Sequence, residues 1–252
     1  MTDSNNVLLE KREGPVLVLS MNRPERHHAL NIELSESLAA AVTRAEKDKS
    51  VSVIVVTGSG DTAFCAGQDM LEVSEAGDLA TDALPSAYIA LDKFTNTTVP
   101  MIAAINGYCF GGGAMLAIAC DIRLASTSAT FRLPGAEYGL VVGAASLPRL
   151  IGASKTKELI YTARKFDAEE AHRCGLVSSL HPADELMKSV LNLAGEIAVN
   201  SNAAVRESKR VIDAATLSER AASLEGAANQ RLRGSPEQNR RFRSATRKVT
   251  GQ

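Results

Sequence analysis

The sequence predicts an α/β fold whose core spans residues 1–195, with a helical C-terminal region over residues 196–252. Short β-branched runs alternate with segments of helical periodicity, which is typical of α/β proteins. From Ser154 onward the chain turns mostly helical. The length of 252 residues suits one sizeable domain with a small appendage.

The N-terminal part predicts a β-hairpin followed by an amphipathic helix. Val7–Glu10 and Val16–Ser20 are apolar runs separated by a segment that contains Gly14 and Pro15. Asn31 is a typical residue to cap the next helix. The apolar residues after it repeat at helical spacing and predict one buried face: Leu34, Leu38, Ala41, Val42 and Ala45.

Later apolar runs predict strands that are buried on both faces. These runs are Val51–Thr57, Met101–Ile105 and Asp121–Ala125. Val177–Leu180 predicts one more short strand.

Helical signals dominate the last third of the chain. Asp167–Glu170 has the pattern of a capping box, and Gly175 supplies a stop for that helix. Ser235–Gln238 combines a cap, a first-turn proline and a capping-box glutamine. A further helix is predicted from an apolar stripe: Leu186, Val190, Leu193, Ala194 and Ile197.

Composition argues against several classes of function. Hydrophobic residues make up 45% and charged residues 23% of the chain, which is ordinary globular composition. The net charge of −1 does not support nucleic-acid binding, and 4% aromatic content supplies few stacking surfaces. His27 and His28 have no cysteine or carboxylate at ligand spacing, so no metal site is predicted.

The cysteines and the apolar stretches indicate a cytoplasmic protein. Cys65, Cys109, Cys120 and Cys174 lack CxxC spacing and are predicted to be reduced thiols. Met1 is followed by polar residues, so no secretory signal is predicted. No apolar stretch is long enough to predict a membrane span.

Two glycine-containing segments follow predicted strands and can carry chemistry. In Asp61–Met70, the small residues Ala66 and Gly67 permit close approach of another molecule. In Asn106–Met115, Gly111–Gly113 open a predicted buried helix. Unpaired N–H groups at such a helix start suit a developing negative oxygen. Either pattern alone is also typical of tight packing.

A dinucleotide-binding loop is an alternative hypothesis. Gly58–Ala63 loosely fits the GxGxxA form of that fingerprint and follows a predicted strand. Gly67, however, would interrupt the required helix early. No GxxxxGK[ST] phosphate loop is present.

In this order and separation, the two glycine-containing segments resemble the oxyanion loops of the crotonase superfamily (enoyl-CoA hydratase/isomerase). The resemblance covers nearly the whole chain, from Val7 to the C-terminus. The segments that carry it are Asn22–Arg26 with Ala29–Asn31, Phe64–Asp69, Asn106–Gly113, Cys120–Arg123 and Ala171–Val177.

The resemblance implies a fold and a ligand. It implies a spiral of ββα units, with a C-terminal helical region that supports homotrimers or hexamers. The ligand is an acyl-CoA bent in a groove, and coenzyme A enters as part of the substrate without a separate cofactor. The thioester oxygen is expected to accept hydrogen bonds from the backbone N–H groups of Gln68 and Gly112.

The resemblance also implies residues that line the groove. Backbone around His28, Ala29, Ala66 and Asp69 is expected to cradle adenine and pantetheine. Cationic side chains are expected at the CoA phosphates, with solvated surface charge as the alternative: Arg26, and Arg247 or Lys248. Other predicted lining residues are Gly67, Met70, Gly111, Met115, Pro134, Gly135 and Tyr138.

The acids that a hydratase of this family uses are missing. One lies two residues after the glycine triplet, where this chain has Met115, and the other follows a proline, where it has Gly135. An aspartate that some relatives carry further along is absent from Leu140–Ala145. Because one proton-transfer group contributes about 10²–10⁴-fold to a rate, efficient hydration is not expected.

Two functions remain from these observations. The first is a lyase or isomerase, similar to enoyl-CoA hydratases, that stabilises a thioester enolate. Its proton carrier is Glu137, a water, a group of the substrate or a bound anion; a pairing of Glu137 with Arg132 is the alternative for that side chain. The second function is non-catalytic acyl-CoA binding.

Overall fold

The computed structural model describes residues 6–75 and 86–250 of the chain. In that part, ten β-strands form two sheets and ten α-helices surround them. The strands are Leu8–Glu13 (β1), Val16–Met21 (β2), Val53–Gly58 (β3), Ala63–Cys65 (β4), Met101–Ile105 (β5), Tyr108–Phe110 (β6), Ile122–Ser126 (β7), Thr130–Arg132 (β8), Lys165–Asp167 (β9) and Ser179–His181 (β10).

The helices fall into a group within the core and a group at the C-terminus. The core helices are Ile32–Lys47 (α1), Met70–Glu75 (α2), Ala87–Asn96 (α3), Gly112–Ala119 (α4), Pro148–Thr162 (α5), Ala168–Arg173 (α6) and Ala183–Ala198 (α7). The C-terminal helices are Asn202–Thr216 (α8), Glu219–Leu232 (α9) and Pro236–Thr250 (α10).

The two sheets are built from alternate strands of the chain. The larger sheet has the order β1-β2-β3-β5-β7-β10, in which only the β1–β2 pair is antiparallel. The smaller sheet has the order β4-β6-β8-β9, with β4, β6 and β8 parallel. Each step β3–β4, β5–β6 and β7–β8 therefore crosses from one sheet to the other before a helix follows. This repetition is the ββα spiral that the resemblance implies, and it confirms the predicted fold class.

The strands of the larger sheet are apolar throughout because helices cover both faces. Ile54 and Val56 of β3 pack into the core cluster with α1, α3 and α4. Val53 and Val55, which point the other way, pack against Leu186 and its neighbours on α7. Burial on both faces explains why the sequence of β3 is a continuous apolar run and does not alternate between apolar and polar residues.

Most predicted elements are confirmed, with small shifts at their ends. The hairpin forms across Gly14, whose φ is +58°, and the Asn31 side chain accepts the Leu34 N–H at 3.0 Å. The strand predicted at Val177–Leu180 begins only at Ser179. The N–H groups of Leu176 and Val177 instead donate to the Ala171 carbonyl and close the end of α6.

The dinucleotide-binding alternative is wrong. After Gly58 and Gly60 the chain turns directly into strand β4, where that motif requires a helix. The Asn106 side chain holds this turn by donating to the Gly58 carbonyl at 2.9 Å and the Gly60 carbonyl at 2.7 Å. Gly58–Ala63 is therefore a fixed turn that links β3 to β4.

The C-terminal helices have more polar surfaces than the core helices. Helix α8 has no fully buried residue, and α9 buries only Asn229. Within residues 6–75 and 86–250, no helix is both long enough and apolar enough to cross a membrane.

A buried cation anchors helix α4, which sequence reasoning did not predict. The Arg123 guanidinium donates to the carbonyls of Leu176 (2.7 Å), Cys120 (2.6 Å), Ala117 (3.3 Å) and Asp121 (3.3 Å). Burial lowers the pKa of Arg123 from its ordinary value. The four carbonyls still favour the cation, because two of them belong to the C-terminal end of α4, where helix carbonyls are unpaired.

We expect Arg123→Met to lower the free energy of unfolding by at least about 3 kcal/mol, because it leaves several buried carbonyls without donors. Urea denaturation followed by circular dichroism measures this change. Arg210→Met is the matched control, since the Arg210 side chain is 72% exposed, and it should change stability by less than about 0.5 kcal/mol. Equal effects of the two substitutions would contradict an anchoring role.

Candidate active site

The two glycine-containing loops meet at the junction of the two sheets. The first leaves β4 and contains Gly67 and Gln68; the second leaves β6 and opens α4 at Gly112. A Cβ built on Gly112 would lie 3.4 Å from the Gln68 amide nitrogen. A Cβ built on Gly67 would lie 3.1 Å from the Gly112 amide nitrogen. The structure therefore brings together the two amides that the sequence singled out.

Backbone pairing sets the direction of the Gln68 N–H group. Leu30 and Gln68 form an isolated parallel bridge, in which the Leu30 N–H donates to the Gly67 carbonyl and the Asp69 N–H to the Leu30 carbonyl. In such a bridge, the amide of Gln68 itself points away from Leu30. Among the residues that the structure describes, neither Gln68 nor Gly112 has an acceptor for its N–H group.

Glycines make the close approach of the loops possible. A Cβ on Gly113 would lie 2.3 Å from the Cys65 carbonyl oxygen, and one on Gly67 would lie 2.9 Å from the Phe110 carbonyl oxygen. Gly67 also has a φ of +104°, which residues with a side chain rarely adopt. A side chain at either position would force the loops apart.

A buried ion pair fixes the first loop, and its function was missed at the sequence level. The Arg23 guanidinium lies 2.9 Å from the Asp69 carboxylate, with both side chains largely buried. The other oxygen of Asp69 accepts the Leu71 N–H at 3.1 Å at the start of α2. Asp69, predicted to line the groove through its backbone, thus also joins the Asn22–Arg26 segment to the loop. The one sequence feature that could have indicated this ion pair is that Arg23 and Asp69 both lie in segments that carry the crotonase resemblance.

His28 is a structural residue beside the same loop. Its Nδ1 accepts the Arg23 N–H at 3.0 Å, so Nε2 carries the proton and donates to the Ser59 carbonyl, also 3.0 Å away. Burial lowers the pKa of His28, and the ring is neutral at neutral pH. Ala66 is held against the residue that precedes His28, because the Ala66 N–H donates to the His27 carbonyl at 2.9 Å.

The thiols near the site are unreactive. Burial raises the pKa of Cys65 to about 12, and burial also raises the pKa of Cys109. All four cysteines are free, as the prediction of reduced thiols requires. Within the described residues, no cluster of histidine, cysteine and carboxylate side chains is arranged to hold a metal ion.

Apolar groups occupy the surroundings of both vacated acid positions. A Cβ on Gly135 would lie only 2.8 Å from Cβ and Cγ2 of Val142, so Val142 fills the space of a side chain there. A Cβ on Gly143 would lie 3.2 Å from the Met115 sulfur. Pro134 packs near Gly111: a Cβ built on Gly111 would lie 3.8 Å from Cγ of Pro134.

Glu137 is engaged by a neighbouring cation. Its carboxylate forms an ion pair with Arg132, whose Nε also donates to the Ala163 carbonyl at 2.9 Å. This is the alternative that sequence reasoning weighed against an acid or base role. Tyr138, the next residue, is partly buried, and burial raises the pKa of its phenol.

Side chains of α9 hold the loop that carries Val142, and no sequence signal indicated this. The Glu225 carboxylate accepts the N–H groups of Gly143 at 3.0 Å and Ala145 at 2.7 Å. The Asn229 side chain accepts the Val141 N–H at 2.9 Å and donates to the Val141 carbonyl at 2.6 Å. We call this set of four hydrogen bonds the α9 clamp. The C-terminal region thus shapes the wall of the site.

The cationic residues predicted near phosphates lie at the surface. Arg26 is exposed in the turn before His27, and Arg247 and Lys248 are exposed in the last turn of α10. Helix α10 contacts α2, which begins at Met70 directly after the first loop. Helix α10 therefore approaches the same part of the molecule as the first loop.

Comparison with known sequences identifies relatives along most of the chain. The sequence profile of a family described as enoyl-CoA hydratase/isomerase matches residues 11–248. A short-chain-enoyl-CoA hydratase of Clostridium acetobutylicum is 36% identical over 215 residues, covering 83% of this chain and 81% of that protein. A crotonyl-CoA hydratase of Syntrophomonas wolfei is 38% identical, covering 81% of this chain and 80% of that protein.

Solved structures agree with these relatives. An enoyl-CoA hydratase/isomerase from Pseudoalteromonas atlantica matches with a TM-score of 0.86 at 30% identity, covering 96% of this chain and 97% of the other. A carnitinyl-CoA hydratase from Mycobacterium avium matches with a TM-score of 0.86 at 27% identity, covering 97% of both chains. The chain belongs to the enoyl-CoA hydratase/isomerase family of the crotonase superfamily.

Proposed function

We propose that this protein binds acyl-CoA thioesters and polarises the thioester carbonyl with the backbone N–H groups of Gln68 and Gly112. The observation that carries the proposal is the approach of these two amides, neither of which has an acceptor among the described residues. Curated relatives named for enoyl-CoA and crotonyl-CoA hydration support an acyl-CoA as ligand.

The chemistry of this pair is stabilisation of negative charge on the thioester oxygen. Removing a proton from the α carbon, or adding a nucleophile at the β carbon, moves charge onto that oxygen. One preorganised donor is worth roughly 3–4 kcal/mol of barrier, and the start of α4 adds the positive end of its dipole. A lyase or isomerase reaction through a thioester enolate is the enzymatic function that this arrangement favours.

Efficient hydration of an enoyl-CoA is not part of the proposal. Met115 and the Val142–Gly135 contact leave the expected acid positions apolar, and Glu137 is paired with Arg132. The same observations favour a second candidate, an acyl-CoA-binding protein without catalysis. Turnover separates the two candidates, because both require thioester binding.

The same proposal names the residues that bind the adenine, pantetheine and phosphate parts of CoA. Backbone around His28, Ala29 and Ala66 cradles adenine and pantetheine, while exposed Arg26 and the last turn of α10 supply cations for phosphates. We further propose self-association as a trimer or hexamer. Exposed apolar side chains on α8, Val211 at 64% and Ile212 at 59%, support an interface there.

Calorimetry tests the ligand class. Crotonyl-CoA and longer acyl-CoAs are expected to bind. The free acids are not expected to bind because they lack the nucleotide, and NAD(H) is not expected to bind because it lacks the thioester. Binding of NAD(H) without thioesters would remove the proposal. Loss of the enoyl-thioester absorbance then measures turnover in wild type and in Glu137→Gln. Absence of turnover at every chain length would select the non-catalytic candidate.

We expect Gly112→Pro to lower kcat/KM about 10²–10³-fold, since it deletes one N–H donor. Proline is tolerated in the first turn of a helix, so the fold should persist. Gly112→Ala is the matched control: it adds a Cβ at a similar position but retains the N–H, so the further loss in Gly112→Pro relative to Gly112→Ala measures the missing donor. Circular dichroism checks both variants.

The same pair of variants also works without turnover. The infrared carbonyl stretch of a bound ¹³C-labelled thioester should move to lower frequency in wild type and Gly112→Ala. In Gly112→Pro this displacement should be smaller. Identical frequencies in the two variants would show that Gly112 does not polarise the carbonyl.

Restoring the acids tests the geometry of the groove. In the double variant Met115→Glu/Gly135→Glu, the new side chain at position 135 is forced against Val142. We therefore expect the double variant to show little hydration. Adding Val142→Gly frees that space and should raise the crotonyl-CoA hydration rate at least about tenfold over the double variant. Val142→Gly alone is the control. A folded triple variant that binds crotonyl-CoA but gains no rate would refute the inferred placement.

A further inference from the structure

Both vacated acid positions border the same short stretch of the loop before α5. A Cβ built on Gly135 would lie 2.8 Å from Cβ of Val142, and one built on Gly143 would lie 3.2 Å from the Met115 sulfur. By the resemblance, the side chains at positions 115 and 135 face the α and β carbons of the acyl group. Val142 and Gly143 therefore border the acyl group on the side where the acids are missing.

A carboxylate from α9 reaches this stretch. The two oxygens of Glu225 accept the N–H groups of Gly143 at 3.0 Å and Ala145 at 2.7 Å. The Gly143 N–H belongs to the peptide unit that joins Val142 to Gly143, so the carboxylate lies directly against the backbone beside the vacated positions. A carboxylate about 80 residues away in sequence thus enters the neighbourhood from which the expected acids are missing.

Glu225 differs from two other carboxylates near the site because it has no counter-ion. Asp69 is paired with Arg23, and Glu137 with Arg132. Among the residues that the structure describes, Glu225 forms hydrogen bonds to backbone N–H groups and no ion pair, and it is half-buried. A carboxylate has about four lone-pair sites, and the two N–H groups occupy two of them. Glu225 is therefore held in place and retains the capacity to accept a proton.

Helix α3 approaches the same carboxylate from the side of the thioester. Ala87, the first residue of α3, has its Cβ 3.3 Å from a Cβ built on Gly112. Tyr88 follows it, and the Arg233 guanidinium lies over the Tyr88 ring, 5.9 Å from its centroid. Burial raises the pKa of the Tyr88 phenol; of the nearby charges, Arg233 lowers it and Glu225 raises it. Glu225 is therefore close both to the helix that abuts Gly112 and to the loop at the vacated positions.

We propose that Glu225 is the proton carrier of the site and moves a proton from the α carbon to the γ carbon of a 3-enoyl-CoA. This inference rests on the proposed polarisation of the thioester by Gln68 and Gly112, and it adds the acid–base residue and the reaction class. One carboxylate suffices, because the base that removes a proton from one carbon returns it to another. Asn229 supports this role by holding Val141, which fixes the loop and the carboxylate together.

The proposed step is balanced without another reactant. Glu225 takes the α proton, the C–H electron pair forms a double bond to the carbonyl carbon, and the thioester oxygen takes the negative charge. When the carbonyl reforms, that pair moves between the α and β carbons. The former β,γ pair then binds the proton that Glu225 returns at the γ carbon. The product is a 2-enoyl-CoA, and Glu225 is again a carboxylate.

Exchange of the α protons of butyryl-CoA in D₂O tests the base directly, because this saturated thioester can undergo neither isomerisation nor hydration. Wild type should catalyse the exchange, which NMR measures. Glu225→Gln should lower the exchange rate at least about 10²-fold, while the Kd for butyryl-CoA from calorimetry changes less than about threefold. Isomerisation of 3-hexenoyl-CoA, followed by the absorbance of the conjugated product, should fall by a similar factor.

Three further variants separate catalysis from a structural role. Asn229→Ala removes the two hydrogen bonds to Val141 but keeps the Glu225 carboxylate, so exchange should fall less than about tenfold. Glu225→Asp keeps a carboxylate and should exchange at least about tenfold faster than Glu225→Gln. Glu219→Gln, at an exposed position in the first turn of α9, is the control and should leave exchange unchanged. Circular dichroism checks the fold of each variant.

Each outcome supports or overturns the inference. Equal losses in Glu225→Gln and Asn229→Ala, or an Asp variant no faster than the Gln variant, would show that Glu225 only holds the loop. If wild type binds butyryl-CoA but exchanges no α protons, the inference fails while the proposed thioester binding stands. If wild type binds no CoA thioester, the proposed function itself fails.

The test also survives a Glu225→Gln variant that does not fold. Glu225→Asp is then compared with wild type, because it retains the charge but moves the carboxylate back by one methylene group. An exchange rate lowered at least about tenfold at an unchanged Kd supports the proton-carrier role. An unchanged exchange rate would overturn it.

Discussion

The close contact between the first turn of α4 and the loop after β4 is the constraint on which the site depends. Gly113 lies against the Cys65 carbonyl with no room for a side chain, and Gly67 lies against Phe110 in the same way. Arg23 and Asp69 hold one side of this contact from the first loop. Arg123 holds the other from the far end of α4, so a charge outside the site maintains the geometry within it.

Sequence reasoning predicted the parts of the structure that depend on local pattern. The Asn31 cap, the apolar face of α1 and the strand Met101–Ile105 all follow from residue type and spacing. The resemblance added what pattern could not give, namely that two segments more than 40 residues apart meet. The N–H pair of Gln68 and Gly112 could be named in advance only for that reason.

Long-range contacts explain what could not be predicted. The α9 clamp joins residues about 80 positions apart, and neither Glu225 nor Asn229 lies in a motif. Val142 looked like an ordinary apolar loop residue, yet it fills the space at Gly135. Likewise, the four carbonyls around Arg123 come together only through the packing of α4 against the segment after α6. Such contacts depend on the complete fold and leave no local trace.

The α9 clamp couples the C-terminal region to the wall of the candidate site. Glu225 and Asn229 fix the backbone on either side of Val142, whose side chain fills the space beside Gly135. Whatever shifts α9 therefore shifts that wall, and a ligand pressing on the wall acts back on α9 with equal free energy. Under the proposed function, acyl-group preference and the docking of this helix are then two measurements of one coupled equilibrium.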